Sequence, residues 1–221
     1  MNMRLRNAVA DQSDTKERIL DAAEGLFAEL GFARTSMRRI TAEADVNLAA
    51  VNYHFGSKEG LIKAVFSRRL EPLNAERLRR LAALELAGNP TLEQLLEAFI
   101  APNLELAGSH DVVGDRFVKL VGRSYTEHTR VLQEHVRAVN ARAASAFKEA
   151  FQRVLPDLPR EELTWRLHFL VGAVAYSMVG PDVARLMAGS PLSETANAQA
   201  LIARLVPFLA AGMRAPLPRH R

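Results

Sequence analysis

The sequence predicts an all-α protein. Apolar residues recur at helical spacings of three and four almost everywhere, and no stretch alternates as a half-buried strand does. The breaks between periodic stretches are short and rich in glycine and proline: Gly31, Gly88-Asn89-Pro90, Pro156 with Pro159, and Gly180-Pro181. A chain of 221 residues holds one large or two small domains with a sizeable core.

Residues 1–14 read as a flexible basic arm, with Arg4 and Arg6 as candidate phosphate contacts. Helix one is expected from Thr15 to Leu30, where Ile19, Ala23, Leu26, Phe27 and Leu30 form one apolar stripe. Gly31 ends it, because a left-handed backbone costs glycine little, and Phe32 returns to the core. Helix two begins near Ser36, capped by Thr35 or Ser36, with Met37, Ile40 and Ala44 inward. Asp45-Val46-Asn47 makes a short turn; Asn47 caps helix three, whose buried pair is Val51 and Phe55. Ser57 caps helix four, expected over 58–86, with Glu59 at the end where negative charge is favoured. Thr91 caps a helix reaching Leu106. Later helices are expected over 115–124, 127–154, 160–179 and 194–214, with a mobile tail at 215–221.

Residues 35–58, TSMRRITAEADVNLAAVNYHFGSK, are the most informative. Helix three presents Asn47, Ala49, Ala50, Asn52, Tyr53 and His54 outward. A major groove about 12 Å wide admits a helix with such a small, polar face and not one with a bulky apolar face. The stretch therefore points to sequence-specific binding of double-stranded DNA. The net charge of +4 adds little to this. Residues 1–70 carry 11 Lys/Arg against 9 Asp/Glu, so the electrostatic footprint must come from placement. Arg34, Arg38, Arg39, Lys58 and Lys63 are expected on one side; Asp11, Asp14, Glu17, Asp21, Glu24 and Glu29 elsewhere.

Several function classes lack their signatures. The chain has no cysteine, so disulfide and thiolate chemistry are absent, which fits a reducing cytoplasm. The N-terminus has no apolar core of export-signal length. The longest apolar stretch, Phe169 to Val179, has 11 residues, whereas a membrane span needs about 20. A soluble, cytoplasmic protein with no membrane partner is expected. No GxSxG elbow, P-loop, strand-linked GxGxxG or HExxH occurs, so no catalytic residue and no cofactor is assigned. His128 and His135, with Glu127 and Glu134, lack the i, i+4 pair of a zinc helix. Interleaved with Arg130 and Arg137, they read as a solvated helix face, and no metal is expected. His168 reads as a satisfied core or interface histidine.

The segment ILDAAEGLFAELGFARTSMRRITAEADVNLAAVNYHFGSKEGL, positions 19 to 61, holds a wider pattern. It comprises Ala22-Ala23, Phe27, Gly31-Phe32, Thr35-Ser36, Ile40, Ala44, Val46, His54-Phe55 and Ser57-Lys58-Glu59 at matched spacing. In this it resembles the TetR family of bacterial transcription regulators. The resemblance implies a helix-turn-helix domain over 15–61 and a larger helical domain over 62–214 that dimerises and holds an effector pocket. Helix four links the two. Most members are repressors released from DNA by a small molecule. Carried over residue by residue, Asn47, Leu48 and Ala49 begin the recognition helix, and Asn52 lies within it. Tyr53, His54 and Lys58 match phosphate-contacting positions, and Thr35, Ser36 and Arg38 match positions that hold the DNA backbone. Three departures stand out: Asp45 replaces the usual turn glycine, Ala49 an early helix-three glycine, and Asn52 a common tyrosine. Asp tolerates a left-handed turn, and Asn can pair with adenine, so the departures alter the operator read and not the fold.

The blocks VNLAAVNYHFGSK, WRLHFLVGAVAYSM (165–178) and VPFLAAGMRA (206–215) are similar to a subgroup that includes fatty-acid or acyl-CoA responsive regulators. This implies a small apolar effector of that class, with an aromatic or cationic drug-like compound as the alternative. Candidate effector-binding residues are Phe99, Phe117, Val121, Arg123, Trp165 and Phe169, with Arg116, Lys119 and Arg123 available to an acidic head group. Candidate dimer residues are Phe169, Gly172, Ala173, Tyr176, Leu201, Leu205 and Phe208; two such helices per chain make a four-helix homodimer interface. The function expected is a ligand-responsive, homodimeric repressor on a palindromic operator. The alternative is a helical dimer that binds ligand or protein without operator-specific DNA binding, for which the near-balanced charge of the first 70 residues speaks.

Overall fold

A computed structural model describes residues 3–109, 111–127, 130–179 and 197–218, with side chains from residue 13 onward. The helices are α1 (Met3–Leu30), α2 (Met37–Glu43), α3 (Leu48–Phe55), α4 (Lys58–Ala87), α5 (Leu92–Ala107), α6 (Val112–Thr126), α7 (Arg130–Val154), α8 (Arg160–Val179) and α9 (Ala198–Met213). No strand occurs among the described residues, in agreement with the all-α expectation. α1 starts at Met3 and not at Thr15. Neither Gly nor Pro interrupts the sequence before Gly25, so helix propensity carries the backbone through the expected arm. The side chains of Arg4 and Arg6, the Gly180-Pro181 break and the Glu194 helix start lie outside what is described.

The chain forms two units. One comprises residues 1–70 and 119–139, the other 71–118 and 140–221. The division therefore falls inside α4, α6 and α7. The reason lies in the core: Leu120 and Leu132 bury among Ile19, Phe27, Ile40, Val51, Leu61 and Val65. Helix continuity hides such a boundary from the sequence.

In the first unit, Phe32 packs edge-on to Phe27 at 5.5 Å and tilted on Phe66 at 5.9 Å. Glu24, fully buried, ties α1 to α4. Its carboxylate accepts two hydrogen bonds from Arg69, at 2.6 and 2.7 Å, the planar fork geometry that favours arginine at buried pairs. Arg68 adds ion pairs to Asp21 at 2.6 Å and Glu17 at 3.3 Å.

In the second unit, α9 packs on α5 and α8. Leu95, Leu96, Ile100 and Leu104 of α5, Leu163 and Leu170 of α8, and Ile202 and Leu209 of α9 are buried. Thr91 and Gln94 form a reciprocal capping box at the start of α5. Arg166, buried on α8, pairs with Glu162 at 2.9 Å and donates to the Met213 carbonyl at 2.8 Å, meeting a carbonyl that the end of α9 leaves open.

Candidate nucleic-acid interface

Local chemistry sets the α2–α3 geometry. Ser36 is the N-cap of α2, its Oγ accepting from the Arg39 N–H at 3.2 Å. Asp45 sits at φ 51°, a left-handed position that Asp tolerates better than most residues. Arg18 donates to the Ala44 carbonyl at 3.1 Å beside it. Asn47 caps α3, its Oδ1 accepting from the Ala50 N–H at 2.8 Å. That leaves the Asn47 amide NH₂ for an outside acceptor.

Val51 is fully buried and Phe55 half-buried, which fixes the face that α3 turns outward. Leu48, Ala49 and Asn52 are exposed on it; Tyr53 is 75% exposed and the half-buried His54 ring meets its edge at 5.1 Å. Gly56, at φ 71°, ends α3. Ser57 then caps α4, accepting from the Gly60 N–H at 3.0 Å. Lys58 is the first residue of α4, where backbone N–H groups and the helix dipole favour an anion. A Cβ on Gly60 would stand 2.1 Å from the Phe55 carbonyl oxygen, so the absence of a side chain there lets the end of α3 seat on α4. Arg38 and Arg39 are exposed on α2.

Thr35 does not belong to this surface. It is fully buried, and its hydroxyl lies 2.8 Å from the Gly31 carbonyl and 3.2 Å from that of Leu26. It closes the end of α1 and offers nothing to DNA. Arg34 likewise donates to the Leu30 carbonyl at 2.9 Å.

Arg123 also departs from expectation. It lies in the first unit and not among the aromatic residues of the second. It donates to Glu127 at 3.2 Å and to the Glu29 carbonyl at 3.1 Å. Glu127 in turn accepts from the Ala33 N–H at 3.1 Å. The pair therefore grips the α1–α2 turn from the end of α6, a role that spacing alone did not reveal. Gly31, at φ 85°, leaves room for it: a Cβ there would fall 2.0 Å from the Glu127 carboxylate. His135 fixes α7 to α4, its Nε2 donating to the Lys63 carbonyl and lying 3.0 Å from Ser67 Oγ. Arg130 and Glu134 pair on the exposed face at 2.8 Å, whereas His135 and Glu127 are tied to α4 and to the α1–α2 turn and depart from the expected solvated face. No group of three potential metal ligands occurs among the described residues, which exclude His128.

The remaining candidates separate. Phe99 clusters with Phe147 at 5.1 Å and Phe151 at 6.3 Å, and Phe117 is buried, all in the second unit. Val121 is half-buried in the first. Trp165 and Phe169 stack at 6.0 Å and are exposed, as is His168 beside them. They continue into Gly172 and Tyr176 along one outward stripe of α8, with Ala173 half-buried at its margin. On α9, Phe208 is exposed; Leu205 is buried and Leu201 half-buried. The inward face of α9 thus belongs to the packing of its own unit, which removes Leu205 from any outward surface. No helix among the described residues is long and apolar enough to cross a membrane.

Comparison with known proteins agrees with this arrangement. A family model described as bacterial regulatory proteins, tetR family, matches residues 19–65. A second, described as tetracyclin repressor-like, C-terminal domain, matches residues 97–212. The probable HTH-type transcriptional regulator YttP of Bacillus subtilis is 37% identical over 83 residues, which is 38% of this chain and 39% of that protein. The HTH-type transcriptional regulator UidR of Escherichia coli is 24% identical over 183 residues, 81% of this chain and 89% of that one. The fatty acid degradation regulator FadR from Bacillus halodurans shares the fold, with a TM-score of 0.67 at 13% identity over 91% of this chain and 97% of that one. FadR from Bacillus subtilis, solved in complex with stearoyl-CoA, gives 0.64 at 13% identity over 89% and 98%. Two matched segments that together cover most of the chain settle the assignment: this chain belongs to the TetR family of bacterial regulatory proteins, DNA-binding transcriptional regulators with an N-terminal helix-turn-helix.

Proposed function

We propose that the protein is a homodimeric repressor that binds a palindromic operator and is released by a small apolar effector. As a DNA-binding regulator of this family it would act in the cytoplasm. The observation that carries the DNA reading is the outward face of α3, with Leu48, Ala49, Asn52 and Tyr53 exposed, followed by Lys58 at the start of α4. Asn52 reads base edges; Tyr53, His54, Lys58, Ser36 and Arg38 hold phosphates and set register. The near-balanced charge of residues 1–70 does not oppose this. Glu17, Asp21 and Glu24 are neutralised internally by Arg68 and Arg69.

The outward stripe of α8, with Phe208 of α9, suits a twofold interface between copies, and the two recognition helices of such a dimer would read successive major grooves of a palindrome. The effector acts by favouring a dimer whose two α3 helices no longer match that spacing, and it must bind the two states unequally to do so. The Arg123–Glu127 grip on the α1–α2 turn supports a path for such a shift, since α6 supplies residues to both units. A fatty acid or acyl-CoA is the favoured effector class, on the sequence likeness and on the ligand held by one structural relative.

Gel-shift titration against an operator selected from a random pool tests the reading. Lys58→Ala should weaken binding to every sequence alike and lower the salt slope by about one. Asn52→Ala should change which operators are preferred. Loss of neither property would refute the placement of α3 in the groove.

A further inference from the structure

The interior of the second unit holds a cation without a carboxylate. Arg77, on α4, is only 8% exposed. Its Nε donates to the Phe99 carbonyl at 2.8 Å and its Nη1 to Asn74 Oδ1 at 3.1 Å. The guanidinium carbon lies 4.6 Å from the centre of the Phe99 ring. Both hydrogen-bond partners are neutral, and no carboxylate among the described residues lies within ion-pair distance. The other buried arginine, Arg166, has Glu162, and Arg69, which reaches into the core, has Glu24. Burying a guanidinium is costly unless an anion compensates it. Burial pulls Arg77 down to about 10, which still leaves it protonated at neutral pH.

The surroundings have a consistent chemistry. Phe99 contacts Arg77 and also packs with Phe147 and Phe151 of α7, which are fully buried. Asn74 links onward to Asn140 of α7 through a 3.0 Å hydrogen bond. One turn beyond Phe99 on the same face of α5, the Oδ1 of Asn103 is buried with no donor among the described residues. The buried cation on α4 and the unmet acceptor on α5 thus both lie in the second unit, with Phe99 between α4 and the fully buried Phe147 and Phe151 of α7.

We infer that Arg77 anchors the head group of a free organic carboxylate whose apolar body packs against the half-buried Phe99. The inference rests on the effector-responsive reading above and narrows it. A guanidinium pairs with a carboxylate through two parallel hydrogen bonds. A CoA thioester presents a neutral carbonyl there and leaves the charge uncompensated. A phosphate dianion brings a second charge that one arginine does not neutralise. The class selected is the free acid. This anchor replaces the earlier expectation of Arg123, whose guanidinium holds the α1–α2 turn.

The test is calorimetric titration of the full-length protein with matched probes: octanoate against octanol, 4-phenylbutyrate against 4-phenylbutanol, and octanoyl-CoA. At least one acid should bind about tenfold or more tightly than its alcohol, the worth of one charge-assisted contact. Arg77→Met should abolish that preference, and its thermal midpoint should equal or exceed that of the wild type. Arg77→Lys, which keeps the charge and loses the fork, should retain part of the preference. A purely structural arginine would give the opposite pattern: a lower midpoint for Arg77→Met and an acid preference that was never present. Equal binding of acid and alcohol, retention of the preference in Arg77→Met, or binding of octanoyl-CoA but neither acid would each overturn the inference, as would binding of no probe. Operator gel shifts on the same preparations keep the two levels apart. Intact operator binding beside a failed acid preference removes the anchor and leaves the regulator.

Discussion

Gly60→Ala isolates the junction on which the recognition helix stands. The added methyl would lie 2.1 Å from the Phe55 carbonyl oxygen, where ordinary contact starts at 3.4 Å, so the two must separate by roughly 1.3 Å. Overpacking of this kind costs about 1–3 kcal/mol. Replacing a helical glycine by alanine returns about 1 kcal/mol. The net effect on stability is therefore small, between no change and a loss of about 2 kcal/mol. The effect on DNA binding is larger, because Tyr53 and His54 on α3 and Lys58 on α4 would no longer share one register. Loss of a single charge-assisted phosphate contact in each half-site removes about 3 kcal/mol, more than a hundredfold in affinity. Fluorescence anisotropy on the selected operator, with urea unfolding in parallel, reads both quantities. Gly212→Ala, which adds a methyl into open space, is the control and should leave operator affinity unchanged. Operator binding by Gly60→Ala within threefold of the wild type would show that the junction yields without consequence, and the argument would fail.

Other expectations are equally specific. Glu24→Gln strands the Arg69 guanidinium beside a neutral amide and should cost about 3–5 kcal/mol in urea unfolding, with part recovered in the double variant with Arg69→Met; a loss below about 1 kcal/mol would show that the pair is solvated after all. Tyr176→Glu puts a charge on the α8 stripe and should give monomers in light scattering and abolish operator binding. The chain's single tryptophan, Trp165, lies on that stripe, so dilution of the wild type should shift its emission to the red as dimers part; no shift would argue for another interface. Glu76 is held down to about 2 by hydrogen bonds from Arg79 and Arg80. A depressed carboxylate stabilises the fold above its ordinary value of 4.5 and stops doing so as pH falls through its folded value. The difference in thermal midpoint between wild type and Glu76→Gln should therefore be constant above pH 4.5, shrink between 4.5 and about 2, and vanish below.

What the sequence disclosed was local. Ser36, Asn47 and Gly31 act through backbone groups within three or four residues, and the structure uses each as cap or terminator. Asp45 in the left-handed turn is of the same kind. Residues whose roles depend on a distant partner were opaque. Glu24 looked like one surface acid among several, because its meaning depends on Arg69, 45 positions away. Thr35 looked like a DNA contact, because nothing nearby in the chain shows that its hydroxyl turns inward to the end of α1. Arg123 and Glu127 read as pocket cation and solvated acid, since only the return of α6 to the first unit brings them to the α1–α2 turn. Leu205 failed for another reason: the apolar stripe of α9 is real, but a stripe does not say which neighbour covers it.

If an acid at Arg77 acts on the operator through a change of conformation, its effect must saturate. The coupling between two separate sites has a fixed size, typically about 1–3 kcal/mol, or 5- to 150-fold in affinity. Raising octanoate or phenylbutyrate well past its own dissociation constant should therefore bring the operator dissociation constant to a plateau, and operator should weaken acid binding by the same factor. A ligand that instead occupied the outward face of α3 would weaken operator binding in proportion to its concentration, without limit. The variants sharpen the distinction. Arg77→Met should move the acid concentration at which the plateau is reached, because it weakens binding of the acid, while the operator affinity of the free protein stays as in the wild type. An unbounded rise in the operator dissociation constant, unaffected by Arg77→Met, would place the acid on the DNA-binding surface and refute release from a second site.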